Sequence, residues 1–345
     1  MTVLVTGCNG YIGSILTDVL IERGYDVAGL DTNYYEPVDP EATPNPEVKF
    51  ILRDIRQVTK EDLDGVTAII HLAALSNDPL GEFNQELTEE INYRGTVRIA
   101  TLAKEAGVER FVFSSSQSMY GISTVDEELD EDTSEKNPIT AYARTKWEAE
   151  CDLKQLHSDD FTVICFRPST VFGASPKLRC DIVYNNFVAC AYATGKIEIK
   201  SDGTPWRPVV HVRDVCSAFI SGLEAPADLV GGQSYNVGIE GGNFSVRDLA
   251  EAAQAAVPGS ELTFTGEHGS DSRTYRVSFN KILTELKDYY KPEWDLARGG
   301  EELVKFFDRI QFTEEIFRGR STIRLEQLKF LVETGQIDDQ LYWIA

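Results

Sequence analysis

Tyr142 and Lys146 form a pair of residues that could move a proton. Both lie in the stretch TAYARTKWEAECDL, which predicts a helix, and their spacing of four residues places both side chains on one helical face. A tyrosine hydroxyl has an ordinary pKa of about 10, and a cation one turn away favours the phenolate and lowers that pKa. The pair could therefore serve as acid and base toward a sugar or alcohol hydroxyl. Alone it is weak evidence, because exposed tyrosine–lysine pairs with no role are common in helices.

A group of serines follows the apolar segment Arg110–Ser114, which predicts a strand. The chain continues as SSSQSMYG over residues 114–121. In a doubly wound sheet, ligands bind beyond the carboxyl ends of the strands, where these hydroxyls would lie. A serine at that place could hydrogen-bond the reacting oxygen and share its proton with Tyr142. A polar strand-to-loop transition without a role has the same sequence pattern, so the serines alone do not decide.

The beginning of the chain predicts a βαβ unit. A strand at residues 2–6 (TVLVT) leads into a glycine-containing turn, a helical pattern at residues 12–23 and a second strand at residues 26–30. The glycines follow the spacing G-x-x-G-x-x-G, one residue wider than the usual dinucleotide fingerprint. Strand, glycines, helix, strand and a following acid in this order favour dinucleotide binding over a glycine-rich turn in an ordinary α/β protein.

Each residue of this turn has a physical reason in a dinucleotide site. Gly7 permits the tight turn, Gly10 lets the backbone approach a pyrophosphate, and Gly13 lets helix and strand pack closely. The helix N terminus offers free N–H groups and a positive dipole end to the phosphates. Asp31, after the second strand, would accept hydrogen bonds from ribose hydroxyls and repel a 2′-phosphate. The predicted cofactor is therefore NAD rather than NADP.

Composition excludes several classes of protein. The 345 residues include 33 basic and 56 acidic side chains, a formal net charge of −23, which disfavours nucleic acid and anionic membranes as partners. No apolar run approaches the about 20 residues that span a bilayer, and the immediate first strand predicts that no signal peptide is present. Six scattered cysteines without a C-x-x-C pair predict reduced thiols in the cytoplasm. Four histidines lack metal-ligand spacing, so we predict no metal site.

Strands and helices alternate along the first half of the chain, which predicts an α/β fold with a doubly wound parallel sheet. Further strands are predicted at residues 49–52, 68–72, 110–114 and 162–167, and helices at residues 82–106 and 139–157. After about residue 170 the segments become shorter and rich in glycine and proline. We therefore predict a Rossmann-type NAD-binding domain at 1–170, with returns near 209–240, and a smaller mixed substrate-binding lobe at 171–310. A helical C-terminal extension follows at 311–345, with one amphipathic helix at 323–332.

The motifs together resemble the extended short-chain dehydrogenase/reductases, and more narrowly the NAD-dependent nucleotide-sugar epimerases and dehydratases. The resemblance runs from residue 1 to about residue 290, and it rests on these motifs in this order: TGCNGYIGS, Asp31, HLAA, INYRGT, FSSSQSMYG, YARTK, RPSTVFG and RPVVHVRDV. It implies that Ser116 is the catalytic hydroxyl, Tyr142 the acid and base, and Lys146 its partner and a ligand of the nicotinamide ribose. It also implies a cytoplasmic homodimer, with the helices at 82–106 and 139–157 as candidate contacts.

The resemblance also implies the residues that bind cofactor and substrate. The implied NAD-binding residues are Gly7, Gly10, Tyr11, Ile12, Gly13, Asp31, Asp54, Ile55, Leu72, Ala73, Ala74, Asn92, Ser114, Tyr142, Lys146 and Pro168. The substrate would be a nucleotide-diphosphate sugar, and its implied ligands are Ser76, Ser116, Ser118, Thr170, Arg179, Asn185, Asn186, Arg207 and Arg273. Arg207 matches the family's diphosphate arginine, Arg273 matches a second one more loosely, and the choice between Asn185 and Asn186 stays open. Lys177 and Arg179 are either substrate cations or plain loop cations.

Departures from the family pattern narrow the predicted reaction. The sugar 4,6-dehydratases carry an Asp-Glu pair directly after the catalytic hydroxyl, where this chain has Gln117 and Ser118, so dehydration is disfavoured. The cysteine base of the GDP-mannose 3,5-epimerases is also replaced by Ser118. Thr170 stands where galactose-type 4-epimerases carry asparagine. We therefore expect a nucleotide-sugar 4-epimerase, with a 4-dehydrogenase or 4-ketoreductase resembling the GDP-heptose 4-oxidases as the alternative, and a catalytically silent NAD-binding module as the least favoured.

Overall fold

Runs of β-branched and aromatic residues form the strands of this chain. The structure, a computed structural model, describes residues 1–122, 127–266 and 274–344. In chain order, the strands of these residues are β1 Thr2–Thr6, β2 Asp26–Asp31, β3 Lys49–Leu52, β4 Ala68–His71, β5 Arg110–Ser114, β6 Glu128–Leu129, β7 Thr162–Pro168, β8 Thr170–Phe172, β9 Lys196–Ile199, β10 Trp206–His211, β11 Ser234–Val237, β12 Asn243–Ser245, β13 Glu261–Phe264 and β14 Arg276–Val277.

Seven of these strands form one parallel sheet in the order β11-β7-β5-β4-β1-β2-β3. From β1 the chain first builds outward through β2 and β3, and then returns to the other side of β1 with β4. The order therefore reverses between β1 and β4, whose last residues, Thr6 and His71, are paired. A crevice opens at such a switch point, beyond the carboxyl ends of the strands, and it is where α/β sheets bind ligands. The predicted doubly wound α/β sheet is confirmed.

The predicted strands are confirmed with end shifts of one residue, but the predicted return to the sheet at 209–212 is wrong. The segment 234–237 does return, as β11 beside β7. The segment near 209 instead belongs to β10, which pairs with β8 and β12 in a separate three-stranded sheet. The two sheets part after Pro168, the last residue of β7, because β8 begins at Thr170 and continues in the smaller sheet.

Helices cover the sheet and build the second lobe. In chain order, the α-helices of the described residues are α1 Gly13–Glu22, α2 Asp78–Gly81, α3 Gln85–Thr88, α4 Thr96–Glu105, α5 Ala141–Leu156, α6 Val183–Thr194, α7 Val212–Glu224, α8 Ala227–Val230, α9 Val246–Ala256, α10 Asn280–Glu285, α11 Leu296–Arg309, α12 Glu314–Arg318 and α13 Arg324–Glu333. None of the helices in this part of the chain is long and apolar enough to cross a membrane.

The single helix predicted at 82–106 is wrong. The side chain of Asn84 accepts a hydrogen bond from the N–H of Leu87 and so starts a new helix, α3, after α2 has ended. A π-helix over Glu89–Gly95 then leads into α4. Buried Asn92 lies in this wider turn and points at Leu75. Its side chain accepts the N–H of Leu75 at 2.8 Å and donates to the carbonyl of Leu75 at 3.1 Å. π-turns of this kind often accompany functional sites.

Three apolar clusters stabilise the described residues. Two lie on the two faces of the main sheet, and the third fills the second lobe between α6, α9 and α11. The C-terminal helix α13 buries Leu328 and Leu331 in the cluster that also contains Ile69 and Phe111 of the main sheet. The tail of the chain therefore packs on the first domain. The division into domains at residues 170 and 310 stays a prediction, as does the homodimer, which a solution molar mass would test.

An ion pair between Glu150 of α5 and Arg167 of β7 lies fully buried beneath the crevice. Arg167 donates from Nη2 to Oε1 of Glu150 at 2.5 Å and from Nε to Oε2 at 3.1 Å. The Glu150 carboxylate also accepts the hydroxyls of Ser115 and Ser234, each at 2.6 Å. A buried pair offsets its desolvation cost only with such full hydrogen bonding. One carboxylate therefore joins a helix, two strands and the serine loop.

Removing one partner of this pair should destabilise the fold strongly. Glu150→Ala leaves the Arg167 guanidinium buried without its carboxylate, and we expect a loss of about 3–5 kcal/mol in the free energy of unfolding. Urea unfolding followed by circular dichroism measures it. The matched control is Glu148→Ala on the exposed face of the same helix, where the ion pair with Arg144 spans 3.7 Å and should contribute at most about 1 kcal/mol. Equal losses in the two variants would contradict this account.

Candidate functional site

A cavity of about 510 Å³ lies at the switch point of the main sheet. The structure brings most predicted site residues to its wall: Gly7, Gly10, Tyr11, Ile12, Gly13, Asp31, Asp54, Ile55, Leu72, Ala73, Ala74, Ser76, Ser114, Ser116, Ser118, Tyr142, Lys146, Pro168, Thr170, Arg179 and Arg207. Asn92, Asn185 and Asn186 do not line it, and Arg273 falls outside the described residues. The predicted cofactor-binding and substrate-binding residues thus line one concave site, which is the arrangement expected for a cofactor bound beside a substrate.

The glycine turn is shaped to let a ligand and the next strand approach closely. Gly7 has φ +74°, a left-handed conformation that favours glycine, and a Cβ there would lie 2.9 Å from the N atom of Ala73. A Cβ on Gly13 would lie 2.1 Å from the carbonyl oxygen of Gly7. The turn therefore excludes side chains at these positions, and it leaves the start of α1 at the cavity wall. This cradle fits the pyrophosphate of a dinucleotide.

Asp31 lies at the carboxyl end of β2 with its carboxylate fixed by the backbone. Its oxygens accept the N–H groups of Asn9 at 3.0 Å and of Asn33 at 2.7 Å. Burial raises the pKa of this carboxyl, and the two N–H groups act in the opposite direction. Asp54 is held differently, because Arg56 binds both of its oxygens at 3.0 and 2.8 Å. Both acids are thus oriented before any ligand arrives.

The three residues predicted to do chemistry converge on one part of the cavity. Thr140 caps the N terminus of α5 by accepting the N–H of Ala143 at 3.2 Å, and this sets Tyr142 and Lys146 on the first two turns. The Lys146 ammonium donates to the carbonyl of Ser114 at 2.7 Å. The Ser116 hydroxyl shares a hydrogen bond of 2.8 Å with that of Ser118. The strand end, the serine loop and the helix are thereby joined at the reacting groups.

The electrostatics of Tyr142 differ from the expectation drawn from its spacing to Lys146. Burial raises the pKa of the Tyr142 hydroxyl, while a hydrogen bond from Ser116 and the charge of Arg179 lower it. Burial also lowers the pKa of Lys146 to about 7. Lys146 is therefore partly deprotonated near neutral pH, and burial outweighs the effects that lower the pKa of Tyr142. The spacing correctly placed both side chains, but the predicted direction of the tyrosine pKa shift is wrong.

The loop after Ser116 offers an amide and a hydroxyl to the cavity. Gln117 is buried, and its Nε2 donates to the carbonyl of Arg167 at 3.0 Å. Its Oε1 is buried and has no hydrogen-bond partner among the described residues. Neither Gln117 nor Ser118 can exchange a proton near neutral pH as a carboxylic acid does. Tyr142 is the group of this loop and helix that is suited to acid and base catalysis.

Arg179 lines the cavity within a buried polar network. Its guanidinium binds Asp181 through Nε at 2.8 Å and Nη2 at 3.0 Å, and Nη1 donates to the carbonyl of Ser76 at 3.1 Å. Asp181 also accepts Nδ2 of Asn77 at 2.9 Å. Lys177 does not line the cavity, and its ammonium donates to the carbonyl of Tyr35. The two loop cations therefore differ, since Arg179 faces the site and Lys177 supports its wall.

The three asparagines outside the cavity serve its framework. Asn185 is buried, accepts the N–H of Gly173 at 2.9 Å and donates to the carbonyl of Arg179 at 3.0 Å. Asn186 donates to the carbonyl of Cys180 at 2.8 Å. These bonds fix the loop that carries Arg179, and Asn92 fixes the wall at Leu75. The structure does not place these asparagines in contact with a ligand in the cavity.

Sequence reasoning missed several polar residues that line the cavity, among them Asn77, Asp78, Thr140, Asp181 and Tyr275. Asp78 accepts the hydroxyl of Thr140 at 2.6 Å, so the short helix α2 is joined to the start of α5. Two local signals could have found part of this set. Thr140 and Asn77 are cap residues placed directly before helical segments, which is a readable pattern. Asp181 and Tyr275 carry no comparable signal.

Around the site, the described residues contain no cluster of three or more histidine, cysteine or acidic side chains that could hold a metal ion. All six cysteines are free thiols, and Cys8, which lies in the glycine turn, is buried. Burial raises the pKa of the Cys8 thiol, so this side chain behaves as a small apolar group. Hydroxyl, ammonium, guanidinium and carboxylate groups line the cavity.

The lowered pKa of Lys146 predicts a pH dependence of stability. Unfolded lysine has a pKa of 10.5 and the folded chain holds Lys146 at about 7, so the unfolded state binds more protons between these values. The contribution of Lys146 to stability should therefore rise with pH in this window, by up to about 1.4 kcal/mol per pH unit. Urea unfolding of the wild type and of Lys146→Met from pH 7 to 9 measures it.

In that experiment the free energy of unfolding of the wild type should increase relative to that of Lys146→Met as the pH rises. The matched control is Lys154→Met, which removes a partly exposed lysine two turns further along the same helix. Its difference from the wild type should stay nearly constant. Parallel pH profiles for the wild type and Lys146→Met would show that burial does not hold this lysine near its neutral form.

Comparison with known proteins agrees with this geometry. The model of the NAD dependent epimerase/dehydratase family matches residues 3–238. A UDP-glucose 4-epimerase of Mycolicibacterium smegmatis is 32% identical over 325 residues, which cover 89% of this chain and 98% of that protein. A mouse dTDP-D-glucose 4,6-dehydratase is 30% identical over 250 residues, which cover 68% of this chain and 67% of that protein.

The fold is shared with solved structures of the same kind. The UDP-glucose 4-epimerase of Thermotoga maritima, solved with UDP-glucose, has a TM-score of 0.77 at 22% identity and covers 90% of this chain and 100% of that chain. The resemblance to the extended short-chain dehydrogenase/reductases, based on the motifs, is thereby confirmed. Relatives with different reactions match at similar identity, so the family is established while the reaction depends on the site. The chain is an enzyme of the NAD-dependent epimerase/dehydratase family.

Proposed function

We propose that this enzyme is a nucleotide-sugar 4-epimerase. One observation carries the proposal: Ser116, Tyr142 and Lys146 line the same cavity, with Ser116 hydrogen-bonded to Tyr142 and Lys146 bonded to the carbonyl of Ser114. The loop after Ser116 has Gln117 and Ser118 in place of a carboxylate pair. Such a site can remove and return a hydroxyl proton beside a hydride acceptor. It lacks, at that loop, the second acid and base that expulsion of a hydroxyl as water requires.

The residues around the cavity fit NAD, the cofactor of the family. We propose that the glycine turn and the start of α1 hold the pyrophosphate, that Asp31 binds the adenosine ribose, and that Asp54 and Ile55 contact the adenine. We propose that Lys146 binds the nicotinamide ribose. NAD supplies the hydride acceptor and donor for the reaction. Asp31 disfavours a 2′-phosphate by its charge, which supports NAD over NADP.

The protein's part in the reaction is proton transfer at the sugar C4 hydroxyl. We propose that Tyr142 takes the hydroxyl proton as the C4 hydride leaves, and returns it when the ketone is reduced on its other face. The Ser116 hydroxyl would hydrogen-bond the C4 oxygen and keep it in reach of Tyr142. Tyr142 has to be deprotonated when it takes the C4 hydroxyl proton, and burial, which raises the pKa of its hydroxyl, favours its role as the acid of the reduction step.

The substrate we propose is a nucleotide-diphosphate sugar. Arg179 and Arg207 line the cavity and are the proposed ligands of the diphosphate. Their charge matters because the whole chain carries a formal net charge of −23, which opposes the approach of an anion. Arg273 stays a predicted second ligand, and Asn185 and Asn186 are proposed to act through the loop that they support. Ser76, Ser118 and Thr170 are the proposed sugar contacts.

A 4-dehydrogenase or 4-ketoreductase on the same scaffold is the second candidate. The observation that favours it is Thr170, which lines the cavity where galactose-type 4-epimerases carry asparagine. With a different sugar contact, the ketone could leave before it turns over. A catalytically silent NAD-binding module is disfavoured, because a sensor has no need of three converged catalytic groups.

The product formed without added NAD separates these candidates. Purified holoenzyme is incubated with a panel of UDP-, GDP-, dTDP- and CDP-sugars, and the products are resolved by chromatography and mass. We expect interconversion of C4 isomers with many turnovers and no product that has lost water. One equivalent of ketone at most would favour the dehydrogenase instead. A dehydrated product would contradict the interpretation of Gln117, and no product from the whole panel would count against both candidates.

Tyr142→Phe tests the proton-transfer step. The substitution keeps the ring and removes the hydroxyl, so we expect kcat to fall by about 10²–10⁴ while NAD stays bound. Cofactor content is measured by absorbance after denaturation, and turnover by the same product assay. The matched control is Tyr192→Phe in the second lobe, where the hydroxyl donates to Asp308 at 2.6 Å far along the chain from the site. Retained activity in Tyr142→Phe would refute the mechanism.

A further inference from the structure

The last part of the chain, residues 324–344, lies beyond the residues matched by the family model and is here called the tail. It begins with α13 and continues through the turn and bridge at Ile337 and Trp343. Leu328, Leu331 and Leu341 are buried in the apolar cluster of the main sheet. The tail is therefore fixed to the first domain, and its polar groups have defined positions.

One set of tail contacts holds the loop that follows Asp31. Residues 32–35 are here called the adenosine loop, because three of them, Thr32, Tyr34 and Tyr35, line the cavity beside Asp31. Gln327 donates from Nε2 to the carbonyl of Tyr34 at 3.0 Å, and Trp343 donates from Nε1 to the carbonyl of Thr32 at 2.6 Å. The hydroxyl of Tyr34 donates in turn to a carbonyl of the tail at position 341. Hydrogen bonds to the tail thus hold the adenosine loop at the carbonyls of Thr32 and Tyr34 and at the hydroxyl of Tyr34.

A second set of contacts holds the segment that carries Asp54. Arg56, which binds the Asp54 carboxylate, also donates from Nη2 to the carbonyl of Gln340 at 2.8 Å. Its guanidinium lies 4.1 Å from the centroid of the Tyr342 ring, a cation–π contact. Asp54 and Ile55 line the cavity. Neighbouring tail residues at 340–343 therefore touch both segments that border this half of the cavity.

A third set of contacts fixes Tyr35 from behind. The guanidinium of Arg324 lies 4.1 Å from the centroid of the Tyr35 ring, and its Nη2 donates to the carbonyl of Lys177 at 2.7 Å. Lys177 returns a bond from its ammonium to the carbonyl of Tyr35. Burial lowers the pKa of the Arg324 guanidinium to about 10. A cation is kept in this buried position at a cost in desolvation, and it contacts Tyr35 of the cavity wall and Lys177 behind it.

We propose that the tail staples the adenosine loop to the Asp54 segment and thereby retains NAD in the enzyme. The proposal rests on the cofactor orientation given above, with the adenosine at Asp31 and Asp54. Segments that are ordered in advance do not lose conformational freedom when a ligand binds, so the complex is stabilised. Release of the adenosine requires these segments to part, which breaks the tail contacts. Trp343, Tyr342 and Gln340 are thus positioning residues for the cofactor.

Retention matches the chemistry of an epimerase. An enzyme that oxidises and then reduces the same carbon regenerates its NAD in each turnover, and it has no need to release it. A dehydrogenase must exchange NADH for NAD after every turnover, so a stapled cofactor would slow it. The proposed retention of NAD by the tail therefore favours the epimerase over the dehydrogenase, in addition to raising the affinity for NAD.

The rate of NAD release from holoenzyme tests the staple. Enzyme loaded with isotopically labelled NAD is mixed with excess unlabelled NAD, and retained label is followed by rapid filtration, with no sugar present. In Tyr342→Ala/Trp343→Ala, loss of one cation–π contact and one hydrogen bond should raise the dissociation rate about tenfold. The matched control is Ile344→Ala, whose side chain is 56% exposed. Its release rate should equal that of the wild type.

Two further measurements make the outcome decisive. With saturating NAD, kcat of the double variant should stay near that of the wild type, because the catalytic residues are untouched. Release at the wild-type rate would overturn the proposal, and so would a fall in kcat that excess NAD does not restore. If the double variant does not fold, Trp343→Ala alone is measured in the same way, because Trp343 is 43% exposed and its replacement disturbs the fold less. The release measurement uses no sugar, so it stands even if the proposed epimerase activity fails, and only the kcat reading depends on that activity.

Discussion

The buried ion pair of Glu150 and Arg167 is the interaction on which the rest of the site depends. Glu150 lies one turn after Lys146 on α5, and Ser115, which bonds its carboxylate, precedes Ser116. Arg167 in turn precedes Pro168 in the cavity wall, and its carbonyl holds Gln117. Two charges removed from water must satisfy each other and their neighbours, so none of these elements can shift independently. This network thereby fixes the relative positions of the segments that carry Ser116, Tyr142 and Lys146.

Much of the fold could be predicted from the sequence, because its signals are local. A run such as TVLVT predicts a buried strand by its β-branched residues. The glycines at 7, 10 and 13 predict a tight turn because they have no Cβ. The positions of Tyr142 and Lys146 follow from helical spacing. By contrast, the separate sheet of β10 depends on pairing with strands far along the chain, and the break at Asn84 depends on a cap bond to Leu87 that hydrophobic periodicity does not register. Periodicity over residues 82–106 continues through that break, and so the prediction of one helix was wrong.

The parts of the site that sequence reasoning missed share a physical cause. The direction of the Tyr142 pKa shift depends on how much protein surrounds the hydroxyl, which a spacing of four residues does not contain. The pairing of Arg179 with Asp181 and the bonds of Asn185 depend on loop geometry. Family resemblance placed Asn185 and Asn186 near a diphosphate, whereas their amides hold the Arg179 loop. Residue types at the site were therefore predictable, and their electrostatic state was not.

The surroundings of Gln117 limit which side chain position 117 can hold, which matters for comparison with the sugar 4,6-dehydratases. Those enzymes carry an acid at the corresponding position, and one codon change in principle supplies a carboxylate here. In this chain, however, the side chain is buried and bonded to the carbonyl oxygen of Arg167. A carboxylate facing that oxygen would be repelled or forced to stay protonated. A carboxylate at position 117 would therefore require the Arg167 carbonyl to move away from this side chain.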